Sequence, residues 1–161
     1  MIVCRCITSS DARQSIDWPV LITIATSFGI GTALDNSGAA KFIAAELVAM
    51  TQVWGPVVAL STIYLLVSVI TAMITNNAAA ALIFPFCMAT ANELECSPLP
   101  FAVAVALAAS ASFMTPMGYQ TNLMVYGPGG YRFTDFLRIG LPLNLILWIT
   151  ATILVPIFYP F

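Results

Sequence analysis

The chain has 161 residues, of which 60% are apolar and 7% are charged, and its mean hydropathy is +0.96. A soluble domain carries about 25% charged residues, so the composition predicts an integral membrane protein without a soluble domain. The net charge of −2 offers no basic patch for nucleic acid. Histidine, the commonest general base, is absent from the chain, which argues against an enzyme.

The first part of the chain predicts a leader, a membrane span and an interfacial helix. Residues 1–17 are polar and lack the apolar core of a signal peptide. Residues 18–34 form an apolar stretch just long enough to span a bilayer, and residues 35–38 are turn formers. Residues 39–51 are short and weakly amphipathic, which favours a helix lying at the membrane interface.

A polar tripeptide, Thr75-Asn76-Asn77, interrupts the next apolar stretch between two predicted helices, 57–74 and 78–92. Unpaired amides and hydroxyls are costly in hydrocarbon, so such residues are tolerated where the backbone turns inside protein. We therefore predict a re-entrant helical hairpin over 57–92. The alternative is an ordinary N-cap in a tight extramembrane turn, against which stands the lack of charged residues near the tripeptide.

A second polar interruption divides the apolar segment 101–126. Residues 115–122 contain a proline and a glycine among polar residues, which predicts a broken transmembrane helix, with a simple proline kink as the alternative. The last predicted span is 135–156, with Thr134 as its N-cap.

The placement of positive charges predicts an orientation. If residues 39–51 lie at the surface and 57–92 leave and return on one side, the four arginines share one side of the membrane, and only Lys41 lies opposite. If 39–51 spans instead, the arginines split evenly. The first arrangement predicts a cytoplasmic N-terminus, a hairpin entering from outside and an external C-terminus, in the plasma or inner membrane.

Two interruptions at membrane depth are typical of secondary transporters, which bind substrates and coupling ions at broken helices. The N–H groups at the start of the helix at Ala78 suit an anion. The carbonyls that end the preceding helix at Ile74 suit a cation such as Na⁺. Gly118 allows the backbone of the second interruption to approach closely.

Both interruptions resemble the divalent anion/sodium symporter family, also called citrate transporter-like or sodium:sulfate symporter. Residues 71–85 are similar to the second hairpin motif of that family, 112–131 to the unwound helix that faces it, and 132–144 to the beginning of its final helix. The sequence Gly-Tyr-Gln-Thr-Asn at 118–122 resembles the branch with cytoplasmic TrkA-C regulatory domains. In that branch, the leader 1–17 would be a remnant of a regulatory loop.

The resemblance implies an all-α polytopic membrane protein in which 18–161 form one inverted-repeat half, with a re-entrant hairpin and a broken transmembrane helix. It implies symport of Na⁺ with a divalent anion, either sulfate or a dicarboxylate such as citrate or succinate, and no cofactor other than the coupling ion. It maps a sodium site, partly of backbone oxygens, onto Thr71, Ile74, Asn76 and Gly118. It maps an anion site onto Thr75, Asn76, Asn77, Tyr119 and Gln120.

The sequence also departs from the family pattern. Thr75 replaces the motif's serine, Asn77 its final threonine, and Tyr119-Gln120 the Thr-Pro of the facing loop, which leaves the choice of anion open. The family builds its site from two inverted halves, and this chain has one hairpin and one broken helix. We therefore expect the C-terminal half of a transporter, as a fragment, a truncated gene product or a subunit of a split protein. Its expected partners are the N-terminal half and a second copy in a homodimer. The alternative is a structural or assembly membrane protein, or an inactive fragment, that does not transport.

Overall fold

The computed structural model describes residues 55–161, together with 21–22, 25–26, 29, 32–33, 36–39, 42–43 and 45–46 of the preceding segment. From residue 55 onward the chain forms five helices: α1 (Pro56–Thr71), α2 (Asn76–Glu93), α3 (Leu99–Ser110), α4 (Gln120–Tyr126) and α5 (Phe133–Phe158). The described residues contain no strand, which confirms the predicted all-α class for this part of the chain.

The segment before α1 is described only in part. Its described residues are helical except at Gly38, which forms a turn with φ of +73°. The predicted leader 1–17 lies outside the described residues. The predicted span 18–34 and the predicted interfacial helix 39–51 lie partly outside them.

Helices α1 and α3 form the centre of the described bundle, because they pack against each other and each also packs against α2 and α5. The buried face of α3 carries small residues, with Ala104 and Ala108 fully buried beside Phe101. The facing side of α1 supplies larger side chains at helical spacing, among them Leu60 and Tyr64. Small residues on one helix allow its neighbours to approach closely, which is the usual basis of helix packing in membranes.

This packing makes a prediction for Ala108. Replacing Ala108 with leucine adds a bulky side chain at a fully buried position of α3, and overpacking of this kind costs about 1–3 kcal/mol. We expect Ala108→Leu to lower the midpoint of thermal unfolding of the detergent-solubilised chain. Ala106→Leu makes the same change on the exposed side of α3. Equal midpoints for the two variants would contradict this account of the core.

Helix α5 has the length and composition of a membrane span. It has 26 residues, and in the described part of the chain it is the one helix long and apolar enough to cross a bilayer. It extends beyond the predicted 135–156 at both ends. Its N-cap is Arg132, whose amide donates to the Asp135 carboxylate at 2.8 Å. The predicted Thr134 cap is therefore wrong: the helix begins at Phe133, and the Asp135 carboxylate accepts from the amide of the N-cap residue Arg132.

The helices around both interruptions end or begin earlier than predicted. Helix α1 ends at Thr71 rather than Ile74, and α2 begins at Asn76 rather than Ala78 because Thr75 is its N-cap. Helix α3 ends at Ser110, so the second break covers residues 111–119 instead of beginning at 115. These shifts decide which backbone oxygens are free near the tripeptide.

Candidate functional site

The end of α1, the start of α2 and the break between α3 and α4 meet at Thr71. This side chain is fully buried. Its hydroxyl donates to the Ala109 carbonyl oxygen at 2.9 Å and lies 3.1 Å from the side-chain amide of Asn76. One threonine thus joins the last turn of α3 to the first residue of α2.

The carboxamide of Asn76 lies against three oxygens. One orientation of this group places its nitrogen, which carries two hydrogens, at 3.1 Å from Thr71 Oγ1, 3.2 Å from Ala109 O and 2.9 Å from Gly118 O. The opposite orientation turns Asn76 Oδ1 toward the same atoms, and the two carbonyl oxygens among them have no proton to share. We call these four groups, on Thr71, Asn76, Ala109 and Gly118, the oxygen cluster.

Two hydroxyls of the second break hold it onto the end of α1. Ser112 Oγ, which is buried, donates to the Thr71 carbonyl at 3.0 Å, and Thr115 Oγ1 donates to the Ala72 carbonyl at 2.6 Å. The last carbonyls of a helix lack partners within the helix. The hydroxyls of the second break therefore satisfy the free carbonyls at the end of α1, and these bonds fix the position of the break.

The break is also fixed internally. Gly118 N donates to Thr115 Oγ1 at 3.2 Å, and the amide of Asn122 on α4 donates to the carbonyls of Ser112 at 3.3 Å and Thr115 at 3.2 Å. Gly118 itself admits no side chain, since a Cβ there would stand 1.8 Å from Ser112 Oγ and 2.7 Å from Thr71 O. This close approach is what brings the Gly118 carbonyl to Asn76.

The structure brings together three of the four residues predicted to hold Na⁺, namely Thr71, Asn76 and Gly118. The fourth, Ile74, lies in the exposed turn after α1, and its amide donates to Ile70 O. The oxygens around Asn76 come from other residues, because α1 ends three residues before Ile74.

The sequence interpretation missed four contributors: the Ala109 carbonyl and the side chains of Ser112, Thr115 and Asn122. The three polar residues lie within the stretch that resembles the family's unwound helix. The sequence therefore indicated that they lie near the break but not which groups they contact. An alanine carbonyl carries no chemical sign in the sequence. Only the end of α3 at Ser110 frees the Ala109 carbonyl for a contact outside its helix.

The residues predicted to bind the anion lie around the start of α2 and the start of α4. Thr75 caps α2, and its hydroxyl accepts from Ala78 N at 3.4 Å. Asn77 is exposed beside the half-buried Asn76. Tyr119 is 45% exposed and follows Gly118 directly, while the side chain of Gln120 lies outside the described part of the structure.

Comparison with known proteins identifies the family. The citrate transporter family matches residues 1–106 of this chain. The chain belongs to this family. The predicted resemblance to the citrate transporter-like, sodium:sulfate symporter family is thereby confirmed, and membership makes the chain an integral membrane protein of a transporter family. Assignment to the branch with TrkA-C domains stays a prediction.

Several relatives align over almost the whole chain. An uncharacterized transporter of Synechocystis is 40% identical over 99% of this chain and 26% of its own length. Sodium/sulfate cotransporter 1 of Chlamydomonas reinhardtii is 38% identical over 94% of the chain and 17% of its own length. Solute carrier family 13 member 2 of Mus musculus is 28% identical over 91% of the chain and 25% of its own length. The chain thus spans about a quarter or less of these relatives.

Proposed function

We propose that the chain forms one half of the transport domain of a sodium-coupled transporter for a divalent anion, with Na⁺ held by the oxygen cluster. The observation that carries the proposal is the Asn76 carboxamide lying 2.9–3.2 Å from three oxygens. Broken helices in transporters offer carbonyl oxygens of this kind to Na⁺.

The chemistry of the cluster favours a monovalent cation. Its oxygens are one hydroxyl, one amide and two backbone carbonyls, and none carries a formal charge. Hard cations prefer oxygen ligands, and divalent ones are commonly held by carboxylates. Among the described residues, no group of three or more His, Cys, Asp or Glu side chains forms a metal site.

Asn76 would serve the site with and without the ion. With its nitrogen turned toward the cluster, the carboxamide offers two hydrogens to the three oxygens Thr71 Oγ1, Ala109 O and Gly118 O. Turning the carboxamide over presents Asn76 Oδ1 to a cation bound among the same oxygens. In the first orientation the side chain would supply donors to these acceptors when no cation is bound, and a buried unpaired acceptor costs about 1–3 kcal/mol.

The start of α2 would receive the anion beside this cation. The first turn of α2 contains no acidic residue, and Thr75 already occupies the Ala78 amide. The amides of Asn76 and Asn77 belong to the positively polarised helix end, which attracts anions. We assign the anion site to the predicted set Thr75, Asn76, Asn77, Tyr119 and Gln120. Sulfate is its first candidate because relatives are named sodium/sulfate cotransporters, and a dicarboxylate such as citrate or succinate is the second.

The length of α1 bears on the arrangement of the hairpin in the membrane. Helix α1 has 16 residues, or about 24 Å, which is less than the ~30 Å hydrocarbon core and shorter than a usual transmembrane helix of about 17–25 residues. The short α1 supports a re-entrant hairpin over 57–92. The other assignments remain those predicted from the sequence: spans at 18–34, 101–126 and 135–156, the last of which lies within α5, and an interfacial helix at 39–51. The arginines and the N-terminus would be cytoplasmic and the C-terminus outside. An N-terminal half and a second copy would complete the transporter.

The test is Na⁺-dependent uptake of sulfate and of succinate by cells that carry the chain together with the remainder of its transporter. Asn76→Ala removes a direct ligand and is expected to raise the half-saturating Na⁺ concentration about tenfold or more. Asn92→Ala is the matched control, because Asn92 is exposed at the far end of the same helix. Unchanged Na⁺ dependence in Asn76→Ala would refute the site, and Na⁺-independent uptake by the unmodified protein would refute the coupling.

A further inference from the structure

The side of α5 that faces the bundle carries a polar residue, Asn144, at a position where an apolar one would pack. Asn144 is only 6% exposed, and its side-chain amide donates to Ser68 Oγ on α1 at 3.0 Å. Its Oδ1 is buried and has no partner within the described part of the chain. A buried acceptor without a donor is unfavourable, so packing alone does not explain an asparagine here.

Ser68 connects this contact to the oxygen cluster. Ser68 and Thr71 are both buried, and they lie three residues apart on α1, so they share one face of the helix. The bond from Asn144 therefore fixes α1 one turn before the hydroxyl that enters the cluster.

Gly140, one turn before Asn144 on α5, contacts the second break. A Cβ at Gly140 would stand 2.2 Å from the Phe113 carbonyl oxygen, so α5 lies directly against the backbone of the second break. Phe113 follows Ser112, whose hydroxyl donates to the Thr71 carbonyl. Gly140 and Asn144, one turn apart on α5, thus contact the second break and α1, the two segments whose contact forms the oxygen cluster.

We propose that Asn144 is a positioning residue for the Na⁺ site, acting through Ser68. In this proposal α5 holds α1 in place by means of Asn144 and the second break in place by means of Gly140. This inference rests on the proposed function. It assigns to α5 a role in cation affinity, although neither residue is among those whose oxygens form the cluster.

A second bond between the same helices provides a contrast. Trp148 Nε1 donates to Ser61 Oγ at 2.9 Å, and Ser61 lies about 15 Å along α1 from Thr71 at 1.5 Å per residue. This bond also joins α5 to α1, but it is remote from the cluster. A role limited to holding the helices together would make the two bonds equivalent for Na⁺ affinity.

The experiment measures the half-saturating Na⁺ concentration and the maximal rate of sulfate uptake in the complete transporter, for Asn144→Ala, Ser68→Ala, their double variant and Trp148→Phe. Asn144→Ala and Ser68→Ala are expected to raise the half-saturating Na⁺ concentration about three- to tenfold, the range of a single interhelical hydrogen bond in a membrane. The maximal rate at saturating Na⁺ is retained. Trp148→Phe moves neither quantity. The double variant shifts no further than Asn144→Ala alone, because both act on one bond.

Three results would overturn the inference: an unshifted Asn144→Ala, an equal shift in Trp148→Phe, or fully additive shifts in the double variant. If Asn144→Ala fails to accumulate in the membrane, the smaller change Ser68→Ala decides by the same criterion. If Asn76→Ala raises the half-saturating Na⁺ concentration while Asn144→Ala and Ser68→Ala leave it unchanged, only the role of α5 fails. Uptake that is independent of Na⁺ in the unmodified protein overturns both proposals.

Discussion

Gly118→Ala is expected to lower the rate of Na⁺-dependent uptake about 10²-fold. The added Cβ would stand 1.8 Å from Ser112 Oγ and 2.7 Å from the Thr71 carbonyl, inside the contact that joins the second break to α1. Both neighbours are buried, so the break must move outward and take the Gly118 carbonyl away from Asn76. A displacement of about 1 Å in a preorganised site costs about 10²-fold in rate. The measurement is the initial rate of sulfate uptake at saturating Na⁺, normalised to the protein in the membrane.

The chain offers a matched control in Gly127, the residue after α4. A Cβ at Gly127 meets nothing within 4 Å, and its φ of −72° suits any residue. Gly127→Ala is therefore expected to transport as the unmodified protein does. Uptake by Gly118→Ala at the level of Gly127→Ala would show that the close approach of the break to α1 is not needed.

The sequence predicted those residues of the candidate site that are marked by their immediate neighbours in the chain. Three uncharged polar residues between apolar arms indicated a break at Thr75, and the capped start of α2 lies there. Gly118 stood out because a glycine between polar residues permits close backbone approach. Asn76 and Gly118 do meet, at 2.9 Å between the Asn76 carboxamide and the Gly118 carbonyl oxygen. Whether this meeting point binds Na⁺ stays a prediction.

The sequence did not predict which backbone oxygens reach the site, because contacts between distant segments decide this. The bond from Ser112 to the Thr71 carbonyl joins residues 41 positions apart, and that from Thr71 to the Ala109 carbonyl joins residues 38 apart. The sequence predicted that the helix before the tripeptide continues to Ile74, because residues 72–74 are as apolar as those before them. The helix ends at Thr71, and the hydroxyls of the second break take the carbonyls at this end.

Thr71→Val is expected to raise the half-saturating Na⁺ concentration about tenfold or more, by removing one oxygen from the cluster. Valine has nearly the same shape, so the change deletes the hydroxyl and leaves the packing at this fully buried position. The Ala109 carbonyl also loses its hydrogen bond from Thr71 at 2.9 Å, and one such bond contributes about 0.5–1.5 kcal/mol to folding. Uptake at graded Na⁺ concentrations and thermal unfolding in detergent measure the two effects separately.

Two variants separate the hydroxyl's role in binding from its role in folding. Thr62→Val makes the same change on α1, but Thr62 is exposed and its hydroxyl donates to the Val58 carbonyl of its own helix at 2.8 Å, so both measurements should stay unchanged. Thr71→Ser keeps the hydroxyl and loses a methyl group, so it should retain Na⁺ affinity even where the smaller side chain lowers stability. Loss of affinity in Thr71→Ser equal to that in Thr71→Val would show that Thr71 supports the fold and supplies no ligand. Retention of affinity in Thr71→Val would remove Thr71 from the cation site and leave Asn76 with the two carbonyls of Ala109 and Gly118.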